Sequence, residues 1–201
     1  MNIITKVDPR IKEVELRNTP LYVRVNKFDE SAAKKFADDM SKAHNTGQTV
    51  IPVVIDSYGG QVYSLMAMIS AINAAHLPIA TIISGKAMSC GAILFSFGTD
   101  GMRYVDEDAT IMIHDVSSFT KGKVEEIKAD AGQTERLNKK VYEMMATNCG
   151  QHKDYFVDMV HERGHADWYL GADDALKHNL ANHIGTPRLE IEVGIAFNFY
   201  V

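Results

Sequence analysis

The sequence has only two cysteines, Cys90 and Cys149, far apart and with no Cys-x-x-Cys pair. That excludes a disulfide framework and fits a reducing compartment. Basic residues are not in excess: 21 Lys and Arg stand against 26 Asp and Glu, a formal net charge of −5. No general affinity for nucleic acid or for anionic membranes is expected from that balance. No stretch of about 18 residues or more is uncharged and apolar enough to span a bilayer. The first residues, MNIITKVDPRIKEVELRN, alternate charged and apolar side chains without an apolar core segment. A signal peptide is therefore not expected, and a cytoplasmic location is. Also missing are internal repeats, low-complexity tracts and any Pro/Gly/Ser-rich linker.

What is present is the composition of an ordinary globular chain: 201 residues, 46% hydrophobic and 23% charged. This suffices for one domain with a sizeable core. The expected division is an N-terminal arm over 1–20, a domain over 21–185 and a tail over 186–201.

Apolar runs and helical periodicities alternate along the chain. LYVRV (21–25) reads as a short strand, and Asp29 and Ser31 as caps for a helix over 31–44. VIPVVI (50–55) and IATII (79–83) are nearly all apolar, as strands buried on both faces are. Between them, residues 62–75 have helical spacing. A short apolar helix is expected to run to about Gly98, then strands at MRYV (102–105) and TIMI (110–113), the latter ended by His114. A long charged helix follows from Lys123 to Cys149. Helices near 152–163 and 171–178 and a strand at LANHI (180–184) complete the pattern, with an edge-strand alternation in the tail. Strands alternating with helices across short connections imply βαβ units and an α/β fold. Functional groups in such folds gather at the carboxyl ends of the strands.

Three features fall there: Gly59-Gly60, the Ser89 turn in SGKAMSCGAIL (84–94), and His114. A serine hydroxyl attacks a carbonyl only when a base takes its proton and donors receive the oxyanion. Small residues around Ser89 suit a strained strand-to-helix turn, and equally suit close packing. His114 at the end of an apolar strand has a fixed backbone and a free ring. Two glycines let a backbone N–H approach a ligand.

In this order and spacing, IDSYGGQV (55–62), SGKAMSCGA (84–92) and TIMIH (110–114) resemble the ClpP family, the proteolytic subunit of the Clp protease. Ser89 lies 29 residues after Gly60, and His114 lies 25 after Ser89. The likeness covers residues 21–184 and continues through the long helix into HERGHADWYLGADDALKHNLANHI (161–184). It implies a ClpP/crotonase-like α/β fold of repeated βαβ units with a long protruding helix. It also implies a serine endopeptidase with Ser89 as nucleophile, His114 as general base and Asp167 as the orienting acid. The Gly60 and Cys90 N–H groups would form the oxyanion hole, and Val62, Ser117 and Phe119 would contact substrate. No metal or organic cofactor is implied. The family works as two stacked seven-membered rings that receive unfolded polypeptide from a separate AAA+ ATP-driven unfoldase. This chain has no P-loop, so any ATP dependence would come from such a partner. Tyr58 departs from the family's proline, Cys90 from a common methionine, and DVSSF (115–119) from a Pro- and Gly-rich stretch.

Competing readings exist. Asp115 rivals Asp167, although neighbours on an extended segment usually point opposite ways. Cys90 rivals Ser89 as nucleophile. HERGH (161–165) fits the zinc-peptidase pattern, with Glu162 as base. Arg163, Gly164 and the lack of a third ligand nearer than Glu190 or Glu192 count against it. A non-catalytic ring subunit and a crotonase-like acyl-CoA enzyme are the alternatives from other classes.

Overall fold

The structure is a computed structural model that describes residues 20–188. The expected tail strand and nearly all of the N-terminal arm lie outside the described residues. The elements in chain order are β1 (Val23–Val25), α1 (Glu30–Ala43), β2 (Ile51–Ser57), α2 (Val62–Asn73), β3 (Ile79–Met88) and α3 (Cys90–Phe95). They continue as β4 (Arg103–Val105), β5 (Thr110–Ile113), α4 (Val124–Asn148), α5 (Tyr155–His161), β6 (Trp168–Leu170), α6 (Ala172–Lys177) and β7 (His183–Ile184). This is the expected α/β arrangement. Strand β6 is an addition, because three residues are too few to display a period of two. Strand β3 runs five residues past the apolar run that announces it. Among the described residues, no helix is long and apolar enough to cross a membrane.

Local chemistry sets the boundaries. The Asp29 carboxylate caps α1 by accepting the Ala32 N–H at 2.8 Å and the Ser31 hydroxyl at 2.7 Å. The nearby Lys27 ammonium and these two bonds hold its pKa well below the usual carboxylate range. Pro52 sits inside β2 without cost to the ladder. The Ile51 N–H bonds Pro78 on the β3 side, so the Pro52 nitrogen faces β1. There the pairing begins only at Val53. Glu126 accepts the Lys123 N–H at 3.0 Å at the start of α4. Only the second half of α4 docks, through Leu137, Val141, Tyr142, Met145 and Ala146. Its first turns stand in solvent.

The sheet forks at β3. Thr81–Ile83 pair in parallel with Arg103–Val105 of β4, and β4 pairs onward with β7. Lys86–Met88 pair in parallel with Thr110–Met112 of β5, and β5 pairs antiparallel with β6. One prong closes the core and the other leads to the candidate site.

Arg103 anchors the closing prong. Its side chain is 1% exposed, and its Nε and Nη2 donate to the Leu180 and Asn179 carbonyls at 3.0 and 3.1 Å. Arg103→Ala strands both carbonyls and opens a cavity. The expected loss is about 3–5 kcal/mol, measured by chemical denaturation. A loss below about 1 kcal/mol would contradict this account.

Candidate active site

Strands β2, β3 and β5 run parallel, so their carboxyl ends meet on one side of the sheet. Ser89 follows β3 immediately, at φ 54° and ψ −120°. A non-glycine residue there stores about 1–3 kcal/mol of strain, and the surroundings must hold it. They do so through the Ser89 N–H, which donates to the Met112 carbonyl at 2.8 Å. The Ala92 N–H in turn donates to the Ser89 carbonyl at 3.0 Å. Helix α3 begins at the next residue, so the Cys90 N–H stands at its first position with no intrahelical acceptor. The Ser89 side chain is half-buried and can be reached.

The two glycines complete the turn. Gly59 and Gly60 have φ of 103° and 149°, which side-chain-bearing residues rarely adopt. A Cβ on Gly59 would lie 2.8 Å from Ser89 Cβ and 2.9 Å from the Met88 carbonyl. On Gly60 it would lie 2.4 Å from the Phe28 carbonyl. The glycine backbone therefore packs directly on the serine turn. Tyr58 does not disturb it. Its ring is 75% exposed and turned outward, with Lys86 Nζ 4.3 Å from the centroid.

Register brings His114 and Asp167 to the same place. Met88 pairs with Met112, so Ser89 stands at the level of Ile113 and His114 is one step beyond. Ile113 pairs with Trp168, so one further step sets His114 opposite Asp167. Opposed residues on antiparallel strands have Cβ atoms about 5 Å apart. Strand β6 is thus what carries Asp167 to the level of His114. Asp167 is exposed. Among the described residues, the side chains of Ser89, His114 and Asp167 make no hydrogen bond with one another.

Asp115 is engaged elsewhere. Its Oδ1 accepts from Asn138 Nδ2 at 2.9 Å, and its Oδ2 pairs with His165 Nδ1 at 2.8 Å. Partial burial pushes the Asp115 pKa up, but the bonds from His165 and Asn138 and the His161 charge outweigh it. The pKa is held below the usual range. The HERGH segment is not one continuous helix. Helix α5 ends at His161, and the chain reverses through Gly164 (φ 69°) and His165 (φ 60°). The two imidazoles still meet, with centroids 4.0 Å apart. Their third neighbour is Asp115, a contact that HERGH alone does not reveal; Glu190 and Glu192 lie outside the described residues. Cys90 is buried, its Sγ contacts the Gly60 carbonyl at 3.3 Å, and burial pushes its pKa up to about 11. It is a thiol at neutral pH and a poor rival to Ser89.

A cavity of about 300 Å³ lies between the start of α2, the segment after β5 and the middle of α4, lined by Val62, Val116, Ser117 and Leu137 among others; Ser89, His114 and Asp167 do not line it. Val62 and Ser117 are therefore together. Phe119 is 93% exposed and does not line it.

A family model described as Clp protease matches residues 16–188. The chain belongs to the Clp protease family. Its mixed α/β architecture with a parallel sheet agrees with that of a Clp protease. One relative is the ATP-dependent Clp protease proteolytic subunit 1 of Salinibacter ruber (strain DSM 13855 / M31). It is 28% identical over 134 residues, which are 67% of this chain and 56% of that protein. The chain thus aligns with little more than half the length of this Clp protease relative.

Proposed function

We propose that the chain is a serine endopeptidase, the proteolytic subunit of a self-compartmentalised protease. The observation that carries this is the strained backbone of Ser89, held between β3 and α3 with Gly59 packed on it. The sheet register that brings His114 and Asp167 alongside adds support, as does the name of the Salinibacter relative.

In the proposed cycle, the Ser89 oxygen attacks the peptide carbonyl while His114 takes the hydroxyl proton. The Gly60 and Cys90 N–H groups receive the oxyanion. Asp167 accepts the second ring N–H of His114, fixes its tautomer and stabilises the imidazolium. The tetrahedral intermediate then expels the amine, protonated by His114, and leaves an acyl ester on Ser89. Water, deprotonated by His114, attacks that ester. Collapse returns the proton to Ser89 and releases the acid. Val62 and Ser117 would flank the substrate, and an extended peptide would lie along 115–119, with Phe119 beside it. The catalytic domain would occupy residues 21–185. Two stacked heptameric rings, unfolded polypeptide substrates, an AAA+ unfoldase and a cytoplasmic location complete the reading.

The test is intact-mass labelling with a fluorophosphonate. One adduct per wild-type chain is expected, with none on Ser89→Ala or His114→Ala. An assembled, folded wild type that takes no adduct would instead be a non-catalytic ring subunit.

A further inference from the structure

We propose that Asp115, His161 and His165 form a binding site for one divalent transition-metal ion, zinc by donor type. The site joins the segment after β5 to the turn between α5 and β6. None of its three ligands is a member of the proposed triad, although Asp115 begins the segment along which the substrate would lie.

The donor set is two imidazoles and one carboxylate, which suits zinc rather than magnesium or calcium. His165 Nδ1 lies 2.8 Å and His161 Nε2 lies 3.8 Å from Asp115 Oδ2. The three donor atoms all lie within 4.8 Å of one another. Donors about 2.1 Å from a tetrahedral zinc stand about 3.4 Å apart, so entry of the ion needs shifts of about 1.4 Å or less. The metal would replace the shared proton between His165 and Asp115.

The surroundings are arranged as around a metal. Asn138 donates to Asp115 Oδ1 and leaves Oδ2 for the histidines. Asn138 also accepts the Val116 N–H at 2.8 Å, which fixes the backbone next to the ligand. The turn behind the imidazoles is pinned: the His165 N–H reaches the Val160 carbonyl at 3.2 Å, and Gly164 bonds back to His161 at 2.9 Å. The Tyr142 hydroxyl is buried without a hydrogen-bond partner among the described residues. His161 and His165 open on a cavity of about 450 Å³ through which an ion can enter.

An occupied site would tie two segments together. Asp115 directly follows His114, and His165 precedes Asp167 by two residues. Binding only to the folded chain also stabilises it by mass action.

The test uses the full untagged chain, stripped with chelator and titrated with Co²⁺ by visible absorption, then with Zn²⁺ against a chromophoric chelator. One ion per chain and a rise in melting temperature with Zn²⁺ are expected. His161→Ala, Asp115→Asn and His165→Gly should each abolish both; glycine at 165 keeps the left-handed backbone, so this variant folds. Asn138→Ala should weaken binding about 10–100-fold. His76→Ala, which alters the separate His44–His76 pair, should bind as wild type does. No binding by wild type, binding that survives His165→Gly, or binding lost in His76→Ala would each overturn the site.

Discussion

Ser89→Ala is expected to lower kcat for peptide cleavage about 10⁶-fold, with the fold intact. The size follows from the proposed role of the hydroxyl as nucleophile. Without it no acyl ester forms, and any residual rate comes from oxyanion donors acting on a water molecule. The stability of the variants separates chemistry from strain. At φ 54° alanine is as strained as serine, so Ser89→Ala should melt close to wild type. Ser89→Gly removes the strain and should be more stable by about 1–3 kcal/mol while equally inactive. Peptide-cleavage assays with thermal melts on the three proteins read this directly. Substantial cleavage by Ser89→Ala would sink the catalytic assignment. A glycine variant less stable than alanine would sink the account of the turn.

Gly59→Ala should disable the site without removing any reacting group. The new Cβ would stand 2.8 Å from Ser89 Cβ and 2.9 Å from the Met88 carbonyl, neither of which is a flexible side-chain end. The backbone angle of 103° adds strain. The serine turn has to move, and displacement of a reacting group by about 1 Å costs on the order of 100-fold. The expected result is at least that loss in kcat/KM and a parallel loss in fluorophosphonate reactivity. Gly101→Ala is the control. It also has positive φ, but a Cβ there meets nothing within 4 Å. Its cost is strain alone, and activity should be unchanged. Equal activities in the two variants would show that Gly59 does not shape the site.

The sequence is most legible where burial dictates it. The runs that became β2 and the first half of β3 are continuous apolar stretches because both faces of those strands are covered. Asp29 is legible as a helix start because capping is local chemistry. The second half of β3, SGKAM, is partly exposed, so its pairing with β5 leaves little trace in hydropathy. The same limit hides β6, and with it the register that sets Asp167 opposite His114. Only the resemblance to a family points to that aspartate beforehand. Gly59-Gly60 and Ser89 are visible as small residues after strands, whereas their contact is a tertiary fact. The meeting of Asp115 with His161 and His165 is harder still, because no spacing joins residues so distant along the chain.

The fork at β3 has a consequence for how the molecule opens. The outer prong, β5 with β6, is tied to the rest of the sheet by three register pairs to the end of β3. β2 and β3 share a longer, fully buried ladder. The prong therefore forms its own cooperative unit, with an opening free energy below that of global unfolding. In native-state hydrogen exchange, β5 and β6 amides should exchange while those of β2 remain protected; uniform protection across the sheet would disprove this. His114 and Asp167 both ride on that prong, and Ser89 does not. One local opening would separate His114 and Asp167 together from Ser89 and leave the core folded.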